Sequence, residues 1–245
     1  MNWQIYIPSY KRAGGITSHK LFPSAKIVVP VSQFDEYQEQ YGEKVASIPD
    51  DKDGNLAVKR NAVLDMARKD GVEWVLMVDD DYAYVGRTTK QQTRWLNVEE
   101  IEMLIIQGCQ MADDLQTGMW GLNVQIDPKF YHEYSPFSLA TPILGPWQAV
   151  KVSELRYDEE IYLKEDYDFW LQSIKKYRKT LRFEAYHYMV NHVNKSGGVV
   201  SYRTKQLEEE HNKMLQRKWG RRVVKYDFTK SINPRVHIPT ARSGR

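Results

Sequence analysis

The sequence predicts an α/β protein: a single domain built on a mostly parallel central sheet flanked by helices, with a C-terminal extension. Three observations carry this. Short runs rich in β-branched residues, "QIYIP", "AKIVVP" and "KVASIP", each stop at a proline. Stretches with apolar residues at helical spacing lie between and after them, so strands and helices alternate, the pattern of a parallel sheet. The run "WVLMV" at 74–78 is apolar throughout, as a buried strand is.

Composition fits that class. A chain of 245 residues with 42% hydrophobic and 12% aromatic residues can bury a core, which argues against disorder. No apolar run is long enough to suggest a membrane span. The start "MNWQIYIPSY" lacks a charged head followed by a long apolar stretch and reads as the first strand. The lone Cys109 permits no internal disulfide, so a reducing cytoplasm is the expected location. The net charge of +3 is uneven. From Arg217 onward the chain carries nine Lys and Arg against one acid, Asp227, which leaves the body slightly acidic. Such a tail suits an anionic partner such as nucleic acid, and equally suits a merely solvated segment.

In order, "QIYIPSY" is the first strand, followed by the loop "KRAGGITSHKLF" with a short helix. "VSQFDEYQEQYG" has helical spacing at Phe34, Tyr37 and Tyr41. "NLAVKRNAVLDMARKDG" is a helix stopped by Gly71, and "NVEEIEMLIIQGCQMADDLQ" a second with acids in its first turn, where they favour the helix dipole. "GMWGLNVQ" reads as a strand and "DPKFYHEYSPFSLATPILGP" as a proline-broken loop. "WQAVKV", "EDYDFWLQSIKKYRKT" and "LRFEAYHYMVNH" then give strand, helix, strand. Beyond "KSGG" come a helix, "RTKQLEEEHNKMLQRKWG", and the basic tail. The main domain is expected over 1–205 and the extension over 206–245.

Four constellations can carry chemistry. Asp79, Asp80 and Asp81 follow the buried run directly, at the carboxyl end of a strand, where open α/β sheets bind ligands. Neighbouring carboxylates raise one another's pKa unless a cation neutralises them, and an oxygen-only set suits Mg²⁺ or Mn²⁺ with a diphosphate as co-ligand. Glu165 and Asp166 open a helix; they can serve its dipole alone, or take a proton from an attacking hydroxyl if they face the metal. His187 and His192 end a strand and precede Lys195, Ser196, Gly197 and Gly198; either histidine can complete a carboxylate metal site, and a lone histidine is often structural. Tyr10, Lys11 and Arg12 follow the first strand, and Lys59, Arg60 and Asn61 lie in a helix. These offer a stacking face and planar forks for phosphate.

Taken together, "IPSYKR", "GNLAVKRNAVLDMA", "VLMVDDDY" and "YDEEIYLKEDYDFWLQ" resemble, in order and spacing over about residues 4–200, the nucleotide-sugar glycosyltransferases of the GT-A (Rossmann-like) fold, in particular the family-2-like group. The resemblance implies a nucleotide pocket from Pro8, Ser9, Tyr10, Arg12 and Arg60, with Asp79 and Asp80 toward the ribose or base. It implies Asp81, with Asp79 and His192, on the metal that bridges the diphosphate, and Asp166 as the base beside an acceptor-holding Glu165. Gly145, Pro146 and Trp147 of "LGPWQ" would lie under the sugar or acceptor. The donor would be a UDP-sugar and the cofactor Mn²⁺ or Mg²⁺.

"LQSIKKY" stands where processive polysaccharide synthases carry an Arg-Trp element, so polymer synthesis is not expected. The basic tail and "KWG" are similar to the TET-associated or base-J-type enzymes that glycosylate 5-hydroxymethylpyrimidines in DNA. That similarity implies a DNA acceptor held by the tail, an extruded base stacked on Trp147, and, for a phage-encoded enzyme, the bacterial host cytoplasm. A cell-surface sugar acceptor is the chemical alternative. A metal-dependent nucleotidyltransferase is the rival class, although "SYKRAGG" is a poor version of its phosphate loop.

Overall fold

The computed structural model describes residues 1–89, 92–124, 127–191 and 203–238. Strand β1 (Trp3–Pro8) pairs in parallel with β2 (Lys26–Pro30), which pairs in parallel with β3 (Val45–Ile48); helix α1 (Phe34–Tyr41) lies between the last two in sequence. Helix α2 (Leu56–Lys69) leads into β4 (Trp74–Val78), which joins the other side of β1 in parallel. The hairpin β5 (Tyr82–Thr88) and β6 (Thr93–Trp95) comes next, then α3 (Val98–Asp114), β7 (Met119–Asn123), the two-residue β8 (Phe137–Ser138) and β9 (Trp147–Lys151). Helix α4 (Glu165–Tyr177), β10 (Leu181–Val190), α5 (Lys205–Trp219) and a small hairpin, β11 (Val224–Lys225) with β12 (Arg235–Val236), complete the chain.

The large sheet has the order β3-β2-β1-β4-β9-β7-β10-β5-β6, with β8 also on β10. Most strands share one direction, as expected. Strand β9 is inserted antiparallel between β4 and β7, and β5 runs antiparallel to β10. Both insertions matter for the site. The register sets Trp147 opposite Val78, which brings the Gly145–Pro146 corner beside the exit of β4. The end of β10 arrives on the other side, where the Asn191 amide donates to the Asp81 carbonyl at 2.8 Å.

Two apolar layers explain why "WVLMV" is unbroken. Trp74, Leu76 and Val78 face one layer with Ile101, Leu104 and Ile105 of α3, whereas Val75 and Met77 face the other with Val63 of α2, Trp170 of α4 and Leu215 of α5. A strand covered on both faces has no solvated side to place a polar residue on. Local signals fix the starts of α2 and α3. Asn55 accepts from the Val58 amide, and Asn97 forms a reciprocal capping box with Glu100.

The predicted helices and the strands β1–β4, β7, β9 and β10 are present, and the proline-broken 127–146 segment forms only a 3₁₀ turn and β8. The hairpin β5–β6 is an addition to the expected elements: "YAYVGRT" follows three aspartates that read as a turn, and Gly86 interrupts its strand pattern. Gly86 is required there, since a Cβ would meet His187 Nε2 at 2.7 Å. Leu215 and Val224 are wholly buried, so α5 and its hairpin are packed onto the body. No helix among the described residues is long and apolar enough to cross a membrane.

Candidate active site

The exit of β4 is built as a bracket. Ser18 Oγ donates to the Asp79 carbonyl at 2.6 Å and accepts from the Tyr82 amide at 2.9 Å, while the Thr17 amide donates to the Asp80 carbonyl at 2.9 Å. Buried Asp80 receives Ser9 Oγ at 2.7 Å on one carboxylate oxygen and Arg12 Nη1 at 2.7 Å on the other. The Tyr37 hydroxyl lies 3.0 Å from Ser9 Oγ and accepts from the Arg12 amide at 2.8 Å. Asp80 thereby ties the β1 loop, which carries Tyr10, to the aspartate turn.

Ser9, Arg12, Asp79 and Asp80 of this bracket line a cavity of about 520 Å³. Pro8, Ser9, Tyr10, Arg12, Asp79, Asp80 and Asp81 form one part of its wall, and Gly145, Glu165 and Asp166 another. The structure thus gathers most of the expected residues around one space. Asp166 Oδ2 accepts from the Gly145 amide at 3.0 Å, and its Oδ1 accepts from the Tyr167 amide at 2.8 Å. Gly145 sits so close that a Cβ would lie 3.3 Å from Arg60 Nη2 and 3.5 Å from Asp166 Oδ2.

One expectation is corrected, and two residues of the cavity wall are also engaged with the protein. Trp147 is 0% exposed, packed edge-on to Phe22 and Trp120, so its ring has no face to offer an acceptor or an extruded base. Arg60, expected at the donor, lines the cavity but is 2% exposed, and its guanidinium bonds to protein oxygens: Gln148 Oε1, Glu165 Oε1 and the Gly145 carbonyl, each at 3.0 Å. Glu165, expected to hold the acceptor, is buried against Arg60. Burial pushes its carboxyl up to about 8; the Arg60 charge pulls it back, and Asp166 adds to the rise. Arg60 and Glu165 together brace the Gly145 corner that holds Asp166.

His192 and the "KSGG" stretch lie outside the described residues. His187 is buried between β5 and β10, with Nδ1 3.2 Å from Thr88 Oγ1, and is not among the residues lining the cavity. Burial lowers its pKa, as for a neutral structural imidazole.

Asp53 and Tyr82 join the site without having been singled out by any motif, and Lys59, named with Arg60 and Asn61 from the sequence, joins it through partners the sequence did not show. Buried Lys59 ion-pairs with Asp53, donates to the Ser9 carbonyl at 2.7 Å and lies 5.5 Å from the Tyr10 ring centre. Burial lowers the Lys59 pKa and raises that of Asp53, each opposed by the partner's charge. Tyr82 donates to the Pro146 carbonyl at 2.6 Å, joining the aspartate turn to the Gly145 corner. The adjacent "KR" of α2 is visible in the sequence; that the two cations serve opposite walls depends on tertiary packing.

A divalent cation fits this wall chemically. Asp79 and Asp81 offer hard oxygen ligands next to the cavity. No group of three or more His, Cys, Asp or Glu among the described residues forms a complete cage.

The α/β sheet, with its acidic strand exit and a carboxylate at a facing helix start, has the features that the resemblance to GT-A glycosyltransferases implies. Residues 3–198 match the model of the TET-Associated Glycosyltransferase family, and the chain belongs to that family. Among solved structures it is similar to S. aureus TarS 1-349, at 14% identity and a TM-score of 0.45, with 88% of this chain and 66% of that one covered. A second TarS structure gives 15% identity and a TM-score of 0.48, with 88% and 40% covered. The chain thus spans less than two thirds of either. It is also similar to a putative nucleotide-diphospho-sugar transferase from Desulfovibrio desulfuricans G20, at 13% identity and a TM-score of 0.39, with 90% and 99% covered. No curated protein matches it in sequence.

Proposed function

We propose that the protein transfers a sugar, glucose in the simplest case, from a UDP-sugar to the hydroxyl of a 5-hydroxymethylpyrimidine in DNA, with Mn²⁺ or Mg²⁺ as cofactor. The observation that carries this reading is the meeting of two acidic sites in one cavity: Asp79–Asp81 on one wall and Asp166 on another. Sugar transfer needs both, one to manage the charge of the leaving diphosphate and one to activate the incoming oxygen.

In this reading the nucleotide lies against Tyr10 and Arg12, with Asp80 holding the pocket's shape through Ser9 and Arg12. Asp79 and Asp81 are the residues that would hold the divalent cation, whose charge would stabilise the departing diphosphate. Asp166, fixed through the Gly145 amide, accepts the proton of the acceptor hydroxyl. That oxygen bonds to the anomeric carbon as the bond from this carbon to the diphosphate oxygen breaks, releasing UDP. The DNA acceptor rests on the family and on the basic C-terminal segment, which suits a phosphate backbone.

The test incubates the protein with Mn²⁺, a panel of nucleotide sugars and duplex DNA containing 5-hydroxymethylcytosine or 5-hydroxymethyluracil, and weighs the digested nucleosides by mass spectrometry. A hexose-sized gain on the modified pyrimidine is expected; no gain with any donor would overturn the DNA reading. Asp166→Asn should lower transfer by about 10²–10⁴-fold while donor binding is retained, the range for losing a general base.

A further inference from the structure

Asp166 lies in the first turn of α4, and that turn starts without the usual support, since Lys164 at the N-cap position makes no side-chain capping hydrogen bond. The residues two positions before and two positions after Asp166 instead grip α5. Lys164, 1% exposed, ion-pairs with Glu208 at 2.5 Å and donates to Asn233 Oδ1 at 3.2 Å. Asp168, 0% exposed, accepts from the Trp219 indole nitrogen at 2.7 Å and ion-pairs with Lys218 at 2.9 Å. Lys218 also reaches Asp158 at 2.6 Å, and Arg203 pairs with Glu208.

Helix α5 is itself seated firmly. Asn212 donates to the Ile232 carbonyl at 3.0 Å, Gln216 donates to the Val224 carbonyl at 2.8 Å, and the His211 ring meets Tyr162 edge-on at 4.3 Å. Arg203 and Asn233 line the same cavity as Asp166. The Lys164–Glu208 pair is buried on both sides and carries a desolvation cost that a surface pair does not, so it is a poor device for stability alone. Lys218, itself exposed, reaches in to a wholly buried Asp168. These two pairs flank the candidate base, and the helix they reach lies beyond residue 198, where the family match ends.

We propose that α5 is the positioning element of Asp166: Glu208 and the Lys218–Trp219 pair hold the first turn of α4 at both ends, so that the carboxylate keeps its aim into the cavity. The "KWG" stretch is then a clamp on the active site. This rests on the reading of Asp166 as the base. A shift of about 1 Å in a reacting group can cost up to about 10²-fold in rate, so a loosened turn should show in turnover before it shows in donor binding.

The experiment compares Trp219→Phe, which removes only the indole donor, with Lys218→Met, Lys218→Arg and the control Asp166→Asn. Turnover is followed as UDP release from UDP-glucose with Mn²⁺ and the modified DNA, donor Kd by calorimetry, and folding by melting temperature. Trp219→Phe and Lys218→Met should lower kcat by roughly tenfold at unchanged donor Kd, with Lys218→Arg recovering most of the loss. Unchanged kcat in both variants overturns the proposal, as does a loss of donor affinity in step with kcat. If Asp166→Asn itself leaves turnover intact, the base assignment falls and the positioning role with it. If Asp166→Asn abolishes turnover and the clamp variants do not, only the role of α5 falls.

Discussion

Arg60 shows how a single side chain organises one wall of the cavity. Its guanidinium spans Gln148, Glu165 and the Gly145 carbonyl, and the Gly145 amide in turn holds Asp166. A planar fork with several fixed donors suits this role, and lysine would not replace it. Its partner Glu165 has a consequence for pH. Burial raises this carboxyl from its usual 4.5 to about 8, so the folded state binds the proton more tightly than the unfolded chain does. Its contribution to stability is fully present below about 4.5 and is lost as pH rises toward 8. Glu165→Gln lacks this titration. The melting temperature of the wild type relative to that variant should therefore fall by several degrees between pH 5 and pH 8. A difference that stays flat with pH, or grows, would show that Arg60 keeps the carboxyl ionised across the whole range.

At the scale of elements, β9 decides what the 145–147 corner can do. Its antiparallel register carries Gly145 to the cavity and sends Trp147 into the core, one residue at the site and the other sealed away. Trp147→Ala should therefore cost stability, about 3–5 kcal/mol by chemical denaturation as for other buried aromatics. Residual folded enzyme should show no selective rise in acceptor KM; such a rise at unchanged stability would return the ring to the acceptor site. The same element shows what the sequence could tell. The strands, the helices and the two acid clusters were legible because periodicity, prolines and caps are local. The burial of Trp147, the engagement of Arg60 with Glu165 and Gln148, and the pairing of Lys59 with Asp53 were not, because each depends on tertiary packing. The hairpin β5–β6 was hidden for a related reason: its signal becomes clear only once β10 supplies a partner for "YAYVGRT".

At the scale of the whole molecule, the basic C-terminal segment is not one uniform charge. Lys218 is held by Asp158 and Asp168, and Lys230 pairs with Asp227, so these cations are already matched within the protein. Lys225 and Arg235 differ. Both are exposed and stand directly opposite each other across β11 and β12. Like charges at opposed positions weaken a two-stranded pair, and an anion lying over them would relieve that repulsion. If the segment holds DNA, removing the cation that neutralises one phosphate should lower the slope of log affinity against log salt by about 0.9. The double change of Lys225→Gln and Arg235→Gln should therefore reduce the slope by about 2, measured by fluorescence anisotropy between about 50 and 200 mM salt. Turnover at saturating DNA should persist, since neither residue lines the cavity. A slope that does not move would take these two cations out of any DNA interface.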